Sequence, residues 1–249
     1  MSRRRFLTVY EHLLRHHGPQ RWWPGETPFE IMVGAVLTQN TAWTNVEKAV
    51  ANLKAHDLLD PERMVSVPVR RLATRIKPAG YFNVKAERLR NVCRWYLDRG
   101  GHTRLSRWRT DRLRESLLSV NGVGPETADD ILLYAFHRDV FVIDAYTRRL
   151  FSRLGLVEAG HGYEDMRRRF ESQIRRERSA ADGPGRSPRV HKKALAGIFN
   201  EYHALIVNHG KDVCKVRPRC GECCLRRHCP AADAGSITRP VRRGPTSSC

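Results

Sequence analysis

The chain has 249 residues, enough for one large domain or two small ones around a real core. Lys and Arg outnumber Asp and Glu by 45 to 26, a formal net charge of +19 that points to a polyanionic partner, although Arg-rich coding would leave the same mark. No apolar run approaches the roughly 20 residues that span a bilayer, and the basic start Met1-Ser2-Arg3-Arg4-Arg5-Phe6-Leu7 lacks a signal peptide's apolar stretch, so a cytoplasmic, nucleoid-associated protein is expected.

Helical periodicity dominates, and no run alternates like a strand. Phe6, Leu7, Tyr10, Leu13 and Leu14 share one face of a first helix that His16-His17-Gly18 ends. Ile31, Val33, Ala35, Val36 and Leu37 mark a second, buried helix, and Val46, Ala49, Val50 and Leu53 a third. Leu89, Val92, Trp95 and Tyr96, then Leu113, Leu117 and Leu118, continue the pattern. Pro125 suits the first turn of a helix running to about His137, where a missing N–H costs little. Another helix begins near Asp144 and carries Leu150, Phe151 and Leu154. The stretch 179–188 reads as a linker or surface loop, and 231–249 as a flexible tail. Between them Ala194, Leu195, Ile198, Phe199, Tyr202, Leu205 and Ile206 build a long closing helix. The fold class is all-α.

The most informative segment is Val120-Asn121-Gly122-Val123-Gly124-Pro125-Glu126-Thr127-Ala128. A Gly-x-Gly turn before a helix leaves unpaired N–H groups at the positive end of the helix dipole, a site for phosphate that glycine lets come close. Such turns also merely cap helices. Asp144 follows 18 positions after Glu126, in Val142-Ile143-Asp144-Ala145-Tyr146. It reads either as a simple N-cap or as a catalytic carboxylate.

With these blocks the chain resembles the endonuclease III superfamily of helix-hairpin-helix DNA glycosylases, which carry a Gly/Pro-rich loop and a downstream aspartate. Leu37-Thr38-Gln39-Asn40-Thr41 looks like the family's glutamine-bearing loop, and Ile76 to Ala86 like its glycine–lysine-alanine block. The hairpin, Asp144 and a terminal cysteine cluster follow in order, so the resemblance covers roughly residues 6–230. It implies two helical lobes. Residues 25–137 would form a six-helix lobe with the hairpin, and residues 1–24 with 138–230 a second lobe with the cysteine loop.

The resemblance implies a base-excision enzyme acting on damaged bases in double-stranded DNA, as a monomer. Gln39 would fill the gap left by an extruded nucleotide, with Gly122, Gly124 and Thr127 at the DNA backbone. Asp144 would stabilise the positive charge developing on the sugar and orient water. In the family's lyases a hairpin lysine attacks the sugar; here Glu126 stands in that place and cannot form an imine. A monofunctional glycosylase is expected, unless another lysine such as Lys85 or Lys211 reaches the sugar. Trp22-Trp23-Pro24 and Trp43 resemble the 3-methyladenine branch, whose cationic purines would stack on tryptophan, with Lys211 by the pocket. Core packing is the plainer role for those tryptophans. The alternatives are a glycosylase/lyase for oxidised pyrimidines and a non-catalytic damage sensor.

Cys214, Cys220, Cys223 and Cys229 lie within 16 residues, with spacers of five, two and five. Four thiolates suit a [4Fe–4S] cluster or tetrahedral zinc. The family's iron–sulfur loop has spacers of six, two and five, so this loop is one residue short. Cys224 competes with Cys223, which the spacing favours. Cys93 and Cys249 fit no ligand pattern and read as a core thiol and a tail residue. Arg217, Arg219, Arg226, Arg227 and His228 give the loop positive charge suited to phosphates.

Overall fold

A computed structural model of the chain describes residues 6–22, 25–158, 160–181 and 194–233. Trp23, Cys249, most of the expected linker and tail, and the start of the chain lie outside them. Among the described residues the protein is helical, with no strand, as the periodicity predicts.

The helices are α1 (Phe6–His17), α2 (Pro28–Leu37), α3 (Trp43–Ala55), α4 (Pro61–Ser66), α5 (Val69–Arg75), α6 (Phe82–Asp98), α7 (Gly101–Leu105), α8 (Thr110–Leu118), α9 (Pro125–Asp130), α10 (Ala145–Arg153), α11 (Tyr163–Ala181), α12 (Leu195–Asp212) and α13 (Pro230–Asp233). A π-helical turn, Ile131–Ala135, continues α9 and was not foreseen; it replaces the single helix expected to run to His137. Helix α11 extends through Ala181, so the expected linker begins later than residue 179. Residues 231–233 belong to α13 rather than to a tail.

Helix starts follow local capping chemistry. Thr27 accepts the Glu30 N–H at 3.1 Å and Pro28 occupies the first turn of α2. Asp60 does the same for Arg63 before α4. Glu177 of α11 reaches across to accept the N–H groups of Phe6 and Leu7, at 3.1 and 2.9 Å, and so satisfies the start of α1.

Helix α6 packs on α4 and α5, and α2 on α3, α6 and the π turn. Helix α12 packs on α1 and α10, and α1 also on α11. An aromatic group, Phe6, Phe141, Phe151, Phe170 and Tyr202, fills the space between α1, α10, α11 and α12. The π turn touches both α2 and α12, so it links the two groups of helices at the site described next.

Candidate active site

The hairpin between α8 and α9 opens onto a cleft of about 570 Å3 lined by Gln39, Asn40, Arg88, the stretch 122–127 and Tyr163. Gly122 has φ of 95°, and a Cβ there would meet Arg88 Cγ at 2.3 Å. Gly124 has φ of −90° with open space where its Cβ would be, so its bareness answers no packing demand. Gly124 N-caps α9 without a side-chain hydrogen bond, and Pro125 takes the first position, where no N–H is needed.

Gln39, just past α2, is tied to this hairpin. Its Nε2 donates to Gly122 O at 3.0 Å and to Thr127 Oγ1 at 2.9 Å, while its Oε1 accepts from Arg88. Lys85 holds the Gln39 turn from behind, donating to Leu37 O, Thr41 Oγ1 and Ala79 O at 2.8, 2.6 and 2.7 Å. Lys85 is 1 % exposed with three acceptors around its amine, and burial lowers its pKa to about 8. Tyr81 projects beside this turn, 74 % exposed on left-handed backbone (φ 43°). Composition alone did not single it out.

Asp144 is the N-cap of α10, its Oδ1 accepting the Thr147 N–H at 2.7 Å. Its Oδ2 lies 3.6 Å from His203 Nε2 on α12. The other imidazole nitrogen of His203, Nδ1, shares a 2.5 Å hydrogen bond with the hydroxyl of Tyr134 on the π turn. Burial opposes charge on Asp144, yet the His203 imidazole and the Thr147 N–H outweigh it and hold the carboxyl below its usual range. His203 is buried too, but Asp144, with Asp130 and Glu126 beyond, raises its pKa above the usual imidazole value. Glu126 and Asp130 sit one turn apart and face the same group. Loss of solvent and the Asp144 charge raise Glu126. Loss of solvent, with Glu126, Asp144 and Asp129 close by, pushes Asp130 up to about 8 although His203 pulls it down.

Tyr134, His203 and Asp130 escaped sequence reasoning. The available signal was faint: a histidine within the apolar stripe Phe199, Tyr202, Ile206, and a Glu–Asp pair at helical spacing.

Trp22 packs edge-on against Trp43 (centroids 5.3 Å apart) and against Tyr134 (5.1 Å, 90°). Glu201 holds the approach to Trp22, accepting the N–H groups of Gln20 and Arg21. A continuous chain of contacts therefore runs Trp43, Trp22, Tyr134, His203, Asp144. Lys211 stands apart from it, exposed on the last turn of α12.

An ion-pair network holds α9 from the other side. Arg114 of α8 grips Asp129 through Nε and Nη2 at 2.7 and 3.1 Å and also donates to Glu164 at 2.6 Å. Arg167 of α11 joins Glu164 and Glu171. Asp129 is completely buried. Tyr163, which lines the cleft, accepts the Ile143 N–H at 3.5 Å and so braces the residue before Asp144.

The cysteine loop lies against α10. Arg149 and Arg153 donate to carbonyls of Gly210, Cys214, Lys215 and Val216. Among the described residues no three ligating side chains converge closely enough to hold one ion. Burial raises the pKa of both Cys223, to about 11, and Cys224. His209 Nε2 lies 3.4 Å from Cys223 Sγ, and its Nδ1 lies 3.0 Å from His17 Nε2. Cys93 is a fully buried core thiol, its pKa pushed up to about 12 by burial.

A helical chain with a glycine hairpin over a cleft, and a capped carboxylate just beyond it, defines a base-excision DNA glycosylase. The description "HhH-GPD superfamily base excision DNA repair protein" matches residues 33–176, and the chain belongs to that superfamily. It is 42 % identical over 225 residues to a Methanocaldococcus jannaschii protein provisionally named a DNA repair glycosylase, covering 89 % of this chain and 94 % of that one. It is 28 % identical to Sulfolobus acidocaldarius endonuclease III, over 81 % of each chain. Among solved structures, the H. pylori 3-methyladenine DNA glycosylase MagIII bound to 1,N6-ethenoadenine is 30 % identical (TM-score 0.68; 82 % of this chain, 94 % of that one). A non-covalent endonuclease III–DNA complex shares the fold at 20 % identity (TM-score 0.71; 91 % and 94 % covered). No helix among the described residues is long and apolar enough to cross a membrane.

Proposed function

We propose that the protein is a monofunctional DNA glycosylase, acting as a monomer on double-stranded DNA and hydrolysing the N-glycosidic bond of alkylated purines of the 3-methyladenine type. The observation that carries this reading is the carboxylate group itself: Asp144 is capped, kept ionised and set beside Glu126 where a lyase would need an amine.

Residues 25–137 form one lobe in this reading, and 1–24 with 138–230 the other. The N–H groups at the start of α9, with Gly124 bare beside them, take a phosphate of the strand. Gln39 trades its bonds to Gly122, Thr127 and Arg88 for the space of the extruded nucleotide, at a cost of a few kcal/mol for unstacking. Tyr81, exposed at the start of α6, would wedge the duplex open. Asp144 then faces the sugar, stabilises its developing positive charge and orients the attacking water. An N-alkylated purine already carries positive charge and leaves without much acid help. The aromatic faces of Trp22 and Trp43, near the carboxylates, favour such a base, and the MagIII likeness supports the same class. Cys214, Cys220, Cys223 and Cys229 would hold a [4Fe–4S] cluster that staples the basic loop.

The test is a release panel of 3-methyladenine, 7-methylguanine and thymine glycol in duplex DNA, run with wild type and Asp144→Asn. Alkylpurine release by wild type alone is expected, with DNA binding kept by the variant. Thymine glycol release alone would overturn the substrate class, and base release by the variant would remove Asp144 from its role. Borohydride should trap no protein–DNA adduct; an adduct would reinstate the lyase.

A further inference from the structure

The imidazole of His203 is 6 % exposed, and its Nε2 is buried without a hydrogen-bond partner among the described residues. Buried polar atoms are rarely left so, and an orphan needs a reason. This one points at Asp144 Oδ2 from 3.6 Å. We propose that His203, oriented by Tyr134, is the positioning residue of the reaction, fixing Asp144 from one side while the Thr147 N–H fixes it from the other. The proposal rests on Asp144 being the catalytic carboxylate and adds what makes it one.

The hydrogen-bond chemistry leaves one arrangement. When the imidazole is neutral, a ring proton on Nε2 faces Asp144 and leaves Nδ1 to accept from the Tyr134 hydroxyl. When it is charged, both nitrogens carry protons and Nε2–H faces Asp144 again. The opposite tautomer would set a lone pair against a carboxylate oxygen. The Asp144 carboxylate therefore selects the form with a proton on Nε2, and the Tyr134 hydroxyl accommodates it by donating to a bare Nδ1 or accepting from a protonated one. With Oδ1 held by the Thr147 N–H at 2.7 Å and the imidazole 3.6 Å from Oδ2, the carboxylate is bracketed from two sides. The π turn bears on the same point. Such turns recur at functional sites, and this one carries Tyr134 into the gap between α2 and α12.

The charges agree with the geometry. Glu126 and Asp130 face the pair from α9, Tyr134 from the π turn, Thr147 from α10 and His203 from α12, with Arg148 of α10 acting on Glu126. Against two further carboxyls and its own burial, Asp144 is kept ionised chiefly by His203.

The experiment is single-turnover base release against pH, on a duplex carrying whichever base wild type releases from the panel. The proteins are wild type, His203→Ala, His203→Gln, Tyr134→Phe and Asp144→Asn. Affinity for an abasic-site duplex is measured in parallel. His203→Ala should slow release roughly 100-fold, the scale of a misplaced reacting group, and shift the acid limb to higher pH as burial takes over Asp144. His203→Gln restores an N–H toward Oδ2 but no charge, so it should recover much of the rate while the acid limb stays shifted. Tyr134→Phe should lose rate with the acid limb unmoved. Abasic-duplex affinity should be unchanged in the His203 and Tyr134 variants, and if His203→Ala does not fold, His203→Gln decides. Wild-type rate and acid limb in the His203 variants, with Asp144→Asn inactive, would overturn the positioning role and leave Asp144 standing. Activity in Asp144→Asn would instead overturn the reading beneath it.

Discussion

Replacing Arg114 with Met should destabilise the protein by leaving a charge buried, and the structure sets the size. Asp129 is completely buried, and Arg114 supplies its bidentate pair at 2.7 and 3.1 Å. Breaking such a pair from one side costs about 3–5 kcal/mol. Arg167 stays 3.7 Å from Asp129 Oδ2 and compensates in part, so the lower end, about 3 kcal/mol, is expected. For a chain of this size that is a Tm lowered by about 6–12 °C. The sign with pH follows. Burial already raises Asp129, and removing the guanidinium raises it further, so the folded variant holds a proton that the unfolded chain has released. Its deficit should therefore be small at acid pH and grow as pH rises through the folded pKa. Adding Asp129→Asn removes the orphaned charge, and the double variant should be more stable than Arg114→Met alone. Thermal and urea unfolding of the two singles and the double close a mutant cycle. Additivity within about 0.5 kcal/mol would refute the argument, because independent sites do not share a charge.

Gly122→Ala and Gly124→Ala should fail differently. The first forces a Cβ against Arg88 Cγ on left-handed backbone and should cost about 1–3 kcal/mol of stability. The second meets open space at ordinary φ, so unfolding should be unchanged while affinity for duplex DNA falls; equal affinity would deny the phosphate a place there. Cys223→Ser should lose iron and sulfide and the visible absorption that goes with them, whereas Cys224→Ser keeps both. The reverse result would exchange the two ligands.

What the sequence disclosed was what short stretches of chain decide alone. Pro125 and Asp144 announced helix starts because capping is settled by neighbours three residues away. Spacing within 16 residues was enough to suggest the cysteine loop. The hairpin drew its meaning from motifs in order. Tyr134 and His203 are 69 positions apart, and their meeting depends on how α12 lies on the π turn. No local rule encodes that. Lys85 was visible as part of a block, but its burial under three acceptors was not. Trp22 and Trp43 were named as a pair of possibilities; their shared contact with Tyr134 joins them to the carboxylate group without deciding what lies on them.

The π turn after α9 has a meaning for how this site tolerates change. A helix advances roughly 100° per residue, so the wider turn puts Tyr134 out of phase with the face that Thr127 and Asp130 would set by ordinary winding. Deleting one residue between Asp130 and Tyr134 would let the segment relax into a regular helix, with better backbone bonding and a tyrosine swung away from His203. Length here, more than residue identity, keeps the aspartate in register.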